Sequence, residues 1–296
     1  MLPLSLLLWI VIELAIYFFL GLKLAGADAP AAAAGALITL LIVRANQNAI
    51  TWLFGWKYAT AGSWPGLWRS LRVIVGEYFA FLLTFLLVIP FERLWLPADR
   101  LNGKGRVVLL VHGYGCSRGV WWLLRRRLEA AGCTVATISL FPPFTSMGKM
   151  VPQLHDRIEA VCRETGSKQL ILLGHSMGGL ICRSYLARHG HARVSALITL
   201  AAPNAGTRLA RYGIGQNARE MQVDSLWLRD MAVEKPGVPA IAFRNPCDNY
   251  VMPQDNQRLP GARNVDLPPV GHIAMLYDRR VAALVVDACK DLENHR

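Results

Sequence analysis

Ser176 stands in Gly174-His175-Ser176-Met177-Gly178-Gly179, and the chain after it offers Asp248 and His272, the side-chain types that nucleophilic acyl transfer requires. A serine hydroxyl attacks a carbonyl only when a base takes its proton. The base in turn needs a carboxylate to fix its tautomer and to stabilise its protonated form. Of seven histidines, His295 belongs to the tail, His189 and His191 follow a helical pattern, His155 lies on a helix face, and His175 flanks the serine and is expected to point elsewhere. His112 and His272 remain. His272 ends the loop Pro268-Pro269-Val270-Gly271-His272 after the last strand pattern and is the expected base, whereas His112 is expected to hold its own loop by hydrogen bonds. Asp248, in a turn rich in proline and asparagine, is the expected acid. Its rivals are Asp255, at an expected helix start, and Asp266, within the last strand.

Acyl transfer also needs donors for the tetrahedral oxyanion, each typically worth about 2.7–4 kcal/mol of barrier when removed. The amide of Met177, just after the nucleophile, is one expected donor. The amide of Tyr114, in the flexible stretch His112-Gly113-Tyr114-Gly115, is the other. Nothing in the sequence points to substrate-binding residues, and no metal or organic cofactor is implied.

These residues work only if the fold brings them to one edge. Leu170–Leu173 is a continuous aliphatic run, read as a buried parallel strand, and Leu180, Ile181, Ser184, Tyr185 and Leu186 recur at helical spacing after it. Ser176 therefore belongs to a sharp strand-to-helix turn, where Gly174 and Gly178 leave room for the backbone. From Gly105 onward the pattern alternates between strands and helices. Strands are expected at 106–111, 135–139, 169–173, 194–200, 239–244 and 264–267, and helices at 120–131, 152–165, 177–188 and 273–292. That alternation predicts an α/β architecture with a mostly parallel sheet of about six strands covered on both faces. The excursion 204–238 is too long for a simple crossover and reads as a lid or cap, with Leu226, Trp227, Leu228 and Met231 either touching substrate or packing on the sheet.

From about Gly105 to Cys289 the chain resembles the α/β-hydrolase superfamily, particularly its bacterial lipases and esterases. It carries His112-Gly113, the Gly-His-Ser-Met-Gly-Gly elbow, and then acid and histidine in that order; Asp248-Asn249-Tyr250-Val251-Met252-Pro253 is similar to the family's Asp-x-x-Val-x-Pro turn. The resemblance implies the α/β-hydrolase fold and carboxylic ester hydrolysis by Ser176, His272 and Asp248. The chain departs from the family at Ala201-Ala202-Pro203-Asn204-Ala205-Gly206-Thr207, where such lipases carry Gly-Thr-Pro-His, so lid geometry and substrate stay open. The same triad also serves acyltransferases, thioesterases and polyester depolymerases, and a non-catalytic tethered scaffold is the alternative of another class.

Ahead of this part lies a different kind of sequence. Helices are expected near 2–22, 29–45 and 73–91, which makes residues 1–91 a membrane region and 92–296 the catalytic domain. The first and third are long enough to cross a ~30 Å hydrocarbon core; the uncharged stretch 29–43 is shorter than the usual ~17–25 residues and is expected to span under thinning or to be re-entrant. Cleavage of the first as a signal peptide is disfavoured by Glu13 and by the lack of a basic start. Glu13 and Glu77, near span ends, are expected to reach water or stay protonated. The stretch 44–72, with Arg44, Lys57, Arg69 and Arg72 and the interfacial rings Trp52, Trp56, Tyr58, Trp64 and Trp68, is expected to be cytoplasmic. Three spans then place the catalytic domain across the membrane, in the periplasm for a Gram-negative source. The net charge of +12 comes with no nucleic-acid module, so ester or lipid substrate and membrane lipids are the expected partners. Protein partners are not legible.

Overall fold

A computed structural model describes residues 2–62, 65–232 and 235–292. Trp64, Val233 and Glu234 of the expected excursion, and His295 lie outside the described residues.

The N-terminal region consists of α1 (Leu2–Lys23), α2 (Ala29–Lys57) and α3 (Leu67–Leu82), the last continued by a π-helical stretch, Leu83–Val88. By length and composition, Leu2–Lys23, Ala29–Lys57 and Leu67–Val88 are all able to cross a membrane. Asp28 caps α2 by accepting the Ala31 amide at 2.9 Å, and Pro30 sits in the first turn, where a missing N–H costs nothing. Here the structure corrects the sequence reading. α2 does not stop near residue 45 but runs 29 residues to Lys57, because its polar side chains find partners. Arg44 forms an ion pair with Glu13 of α1, and Asn48 Oδ1 accepts the Trp52 indole N–H at 3.0 Å. Arg44, Trp52 and Trp56 therefore belong to a helix rather than to a basic interfacial loop, and Glu13 is paired rather than reaching water.

After the short α4 (Glu92–Trp95), strands and helices alternate: β1 (Val107–Val111), α5 (Trp122–Ala130), β2 (Thr134–Ile138), α6 (Met147–Thr165), β3 (Leu170–His175), α7 (Met177–His189) and β4 (Val194–Leu200). The excursion follows, with a 3₁₀ turn at Arg208–Tyr212, α8 (Gln216–Glu220) and α9 (Leu226–Ala232); then come β5 (Ala240–Arg244), β6 (Arg263–Asp266) and α10 (Arg279–Asp291). The six strands form one sheet in the order β2-β1-β3-β4-β5-β6, every pair parallel.

Side chains alternate across the sheet. Leu109, Val111, Leu170 and Leu172 enter one apolar cluster with α6 and α7, while Val108, Leu110, Ile171 and Leu173 enter another with α5 and α10. Burial of both faces is why these strands read as continuous aliphatic runs. Two helix starts differ from expectation for reasons of capping. α6 begins at Met147, with the Ser146 hydroxyl accepting the Gly148 amide, so Pro152 is internal. The helix expected over 273–292 instead begins at Arg279, because Asp278 accepts the amides of Arg280 and Val281.

One stripe of α3 and its π-helical continuation, from Val73 to Val88, packs inward. Val73 packs with Trp52 and Cys247, Thr84 shares a 2.7 Å hydrogen bond with the Tyr277 hydroxyl, and Val88 is fully buried. Thr60, just after α2, donates its amide to Gln254 Oε1 at 2.8 Å, and its hydroxyl accepts the Asp255 amide at 3.1 Å. These two hydrogen bonds tie the loop after α2 to the α/β domain.

Candidate active site

The turn between β3 and α7 puts Ser176 at φ 53°, ψ −125°, a left-handed conformation that a side chain normally avoids. Its neighbours are glycines for a steric reason. A Cβ on Gly174 would come within 2.5 Å of the Gly178 carbonyl carbon, and one on Gly178 would collide with the Val111 carbonyl oxygen. The Ser176 amide is held by the Leu200 carbonyl of β4 at 2.8 Å, which anchors the turn to the sheet.

His272 and Asp248 meet. Nδ1 of His272 lies 2.8 Å from Asp248 Oδ2, and both residues are buried. Because a carboxylate only accepts, Nδ1 carries the proton and Nε2 is left with a lone pair. The other oxygen, Asp248 Oδ1, accepts the amides of Tyr250 at 2.7 Å and Val251 at 2.8 Å, which fixes the carboxylate from behind. Asp255 and Asp266 are engaged elsewhere, since Arg244 binds Asp255 at 2.5 Å and grips Asp266 with two nitrogens at 2.6 and 2.7 Å. Burial pushes the His272 imidazole down, but the Asp248 carboxylate, its hydrogen bond and the nearby Glu77 outweigh that and leave it above the ordinary histidine value.

The ring of His272 lies 4.6 Å, centroid to centroid, from that of His175, which adjoins Ser176, the two planes tilted by 44°. No hydrogen bond joins the Ser176 hydroxyl to His272 among the described residues, a spacing common in sites without substrate. His175 does not simply point away: its Nε2 lies 3.2 Å from the His272 carbonyl oxygen, so it is a strut for the base loop. Burial first, and then His272, hold its imidazole well below the ordinary value, so it is neutral.

The amides of Tyr114 and Met177 both lack a protein acceptor among the described residues. Gly113 brings the first loop against the elbow, since a Cβ there would stand 3.1 Å from Ser176 Cβ. His112 holds that loop as expected, with Nε2 accepting the Leu140 amide at 3.0 Å and Nδ1 donating to the Gly113 carbonyl at 2.9 Å.

The excursion ties these loops together. The Tyr114 hydroxyl donates to the Ile214 carbonyl at 2.7 Å and accepts its amide at 2.9 Å; Thr207 donates to the Tyr250 carbonyl at 2.7 Å. Leu228 and Met231 are buried and Trp227 packs on the apolar cluster that contains Leu228, so this part of the excursion is core, while Leu226 is exposed. Phe141, Phe144, Tyr212 and Ile214 are exposed apolar groups on the loops that carry these contacts.

Two supports escaped the sequence reading. Asn249 Oδ1 accepts the His272 amide at 3.2 Å and its Nδ2 donates to Thr51 of α2 at 2.7 Å. Glu77 of α3, expected to reach water or stay protonated, does not reach water: it is buried, accepts the amides of Ile273 and Ala274, and burial pushes its carboxyl up to about 7. An acid in an apolar helix was the available signal for Glu77; nothing local marks Asn249.

Comparison with known proteins agrees with this architecture. A family model described as alpha/beta hydrolase fold matches residues 106–222. The chain is 30% identical over 148 residues to the lysosomal thioesterase PPT2 of Mus musculus, covering 48% of this chain and 46% of that protein. It is 30% identical over 98 residues to triacylglycerol lipase 2 of Saccharomyces cerevisiae, covering 31% of this chain and 30% of the lipase. The chain thus spans less than half the length of either relative. Among solved structures, the mature lipase BlEst2 of Bacillus licheniformis superposes with a TM-score of 0.57 at 17% identity, over 67% of this chain and 96% of the lipase.

Proposed function

We propose that the chain, whose residues 106–222 match the alpha/beta hydrolase fold model, is a membrane-anchored serine hydrolase of that superfamily, cleaving carboxylic esters through an acyl-enzyme. The reading rests above all on the 2.8 Å bond between His272 Nδ1 and Asp248 beside the left-handed Ser176. Ser176 Oγ attacks the acyl carbonyl as His272 Nε2 takes its proton, and the amides of Tyr114 and Met177 hold the oxyanion. His272 then gives that proton to the leaving alcohol. Water, deprotonated by the same imidazole, releases the acid and restores Ser176.

Lipid esters are the favoured substrates. An apolar groove of about 800 Å³, walled by Leu2, Leu4 and Leu7 of α1 together with Phe91 and Phe141, opens beside Cys116 and Ser117 of the first loop. Its position between an apolar helix and that loop suits an acyl chain. The organisation we assign is a membrane region, residues 1–91, and a catalytic domain, 92–296, with the excursion 204–238 bordering the site. α1 and α2 form the inserted hairpin; α3 is a brace on the catalytic domain. Lys57, Arg69 and Arg72 at the base of the hairpin put that side, and the catalytic domain with it, in the cytoplasm by the charge rule. A thioester is the second substrate reading, favoured by the similarity to a protein named as a thioesterase.

Purified full-length protein, assayed on p-nitrophenyl esters of rising chain length and on acyl-thioesters, tests the reading. Turnover by the wild type, lowered roughly 10³-fold or more in Ser176→Ala, is the expected result. No turnover of any ester or thioester by folded wild type contradicts it.

A further inference from the structure

Glu77 is the one residue of the apolar α3–π segment with a carboxylate, and its side chain is fully buried against the catalytic domain. Burying a carboxylate is unfavourable unless its oxygens are satisfied, and an aliphatic residue would pack a helix onto a domain at lower cost. What this carboxylate does is specific. Oε1 and Oε2 both accept the Ile273 amide at 3.0 Å, and Oε2 also accepts the Ala274 amide at 2.8 Å. These are the two residues after His272. On the other side of His272, a Cβ on Gly271 would collide with Glu77 Oε2, so the glycine is what lets the carboxylate reach the loop.

We propose that Glu77 is a positioning residue for His272, clamping the loop that carries the base so that the third N-terminal helix is a working part of the active site. The inference rests on the reading of His272 as the base. Asp248 holds the imidazole through Nδ1, Asn249 takes the His272 amide, and Glu77 takes the next two amides. Without Glu77 those two amides are buried donors without acceptors, and the loop relaxes toward other partners. A shift of about 1 Å in a catalytic group can cost on the order of 10²-fold in rate.

Charge adds a second signature. The groups facing the His272 imidazole are Asp248 and Tyr250 from the loop after β5, His175 from the end of β3, and Glu77 from α3. His175 is neutral and Tyr250 is held well above the ordinary phenol value, first by burial, so the two carboxylates set the field. Asp248 is the stronger of the two, because burial pushes the Glu77 carboxyl itself up to about 7 and leaves it part-neutral along the acid limb of the rate profile. Removing Glu77 therefore shifts that limb only slightly to lower pH.

The test compares full-length wild type, Glu77→Gln and Glu77→Ala in detergent micelles, each with Ser176→Ala as the inactive reference. Three quantities are read: kcat and KM for a short p-nitrophenyl ester across pH, hydrogen exchange at Ile273 and Ala274, and the thermal midpoint. Glu77→Ala is expected to lower kcat roughly 10- to 100-fold with KM moved less than about threefold, and to expose both amides to exchange. Glu77→Gln retains an oxygen where Oε2 accepts both amides, so it recovers protection and part of kcat while keeping the slight shift of the acid limb. Folded Glu77→Ala with wild-type kcat and pH profile overturns the proposal. So do equal losses in both variants that merely track the thermal midpoint. Wild type without activity would instead contradict the proposed function, while the exchange readout still decides whether Glu77 clamps the loop.

Discussion

In the proposed mechanism each residue removes a defect of the next. Ser176 stands on a strained turn as the proposed nucleophile, His272 as the proposed base is buried with its proton on Nδ1, and Asp248 is a buried acceptor braced by two amides. Because Asp248 lifts His272 against the effect of burial, kcat/KM is expected to rise with pH along a limb centred above the ordinary histidine value of about 6.5. A pH profile on a soluble ester checks this; a midpoint below that value contradicts it. Asp248→Asn keeps the shape but offers Nδ1 a donor as well as an acceptor, and should lower kcat roughly 10³- to 10⁴-fold with the fold intact by circular dichroism. Residue types and chain order single out Ser176 and His272 in the sequence, and the structure brings His272 to Asp248 and its ring beside that of His175, the neighbour of Ser176. The choice among Asp248, Asp255 and Asp266 was less legible, because it depends on Arg244 occupying the two rivals, a pairing across the sheet edge that no local pattern encodes.

At the scale of elements, backbone approach and capping decide what the sequence pattern leaves loose. Strand positions were readable because doubly buried strands are aliphatic throughout; β4 matches its expected bounds residue for residue. Helix starts were not, since Ser146 and Asp278 act as caps only through their own geometry. Gly178→Ala drives a methyl into the Val111 carbonyl and is expected to cost roughly 3 kcal/mol or more in unfolding free energy, measured by denaturant titration. Tyr114→Phe removes both hydrogen bonds to Ile214, uncoupling the excursion from the first loop. We expect about 1 kcal/mol of destabilisation and a raised KM for long acyl chains, with little change for short ones.

For the whole molecule, the N-terminal helices and the α/β domain share side-chain contacts. α2 and the loop after it reach the α/β domain through Thr51, Trp52 and Thr60, and α3 with its π-helical continuation through Val73, Glu77 and Thr84. Hydropathy alone identified three candidate spans but not which of them lends a face to the sheet domain, because burial against protein and burial in lipid call for the same side chains. Cysteine-accessibility mapping in intact cells should place the loop at Thr60 and the C-terminal domain on one side; opposite sides contradict the topology assigned here. The central claim is chemical, and peptide mass spectrometry after fluorophosphonate treatment of the full-length protein tests it most directly. We predict one adduct, on Ser176, absent in Ser176→Ala and strongly slowed in His272→Ala. Labelling at another residue, or none on folded wild-type protein, would contradict the account.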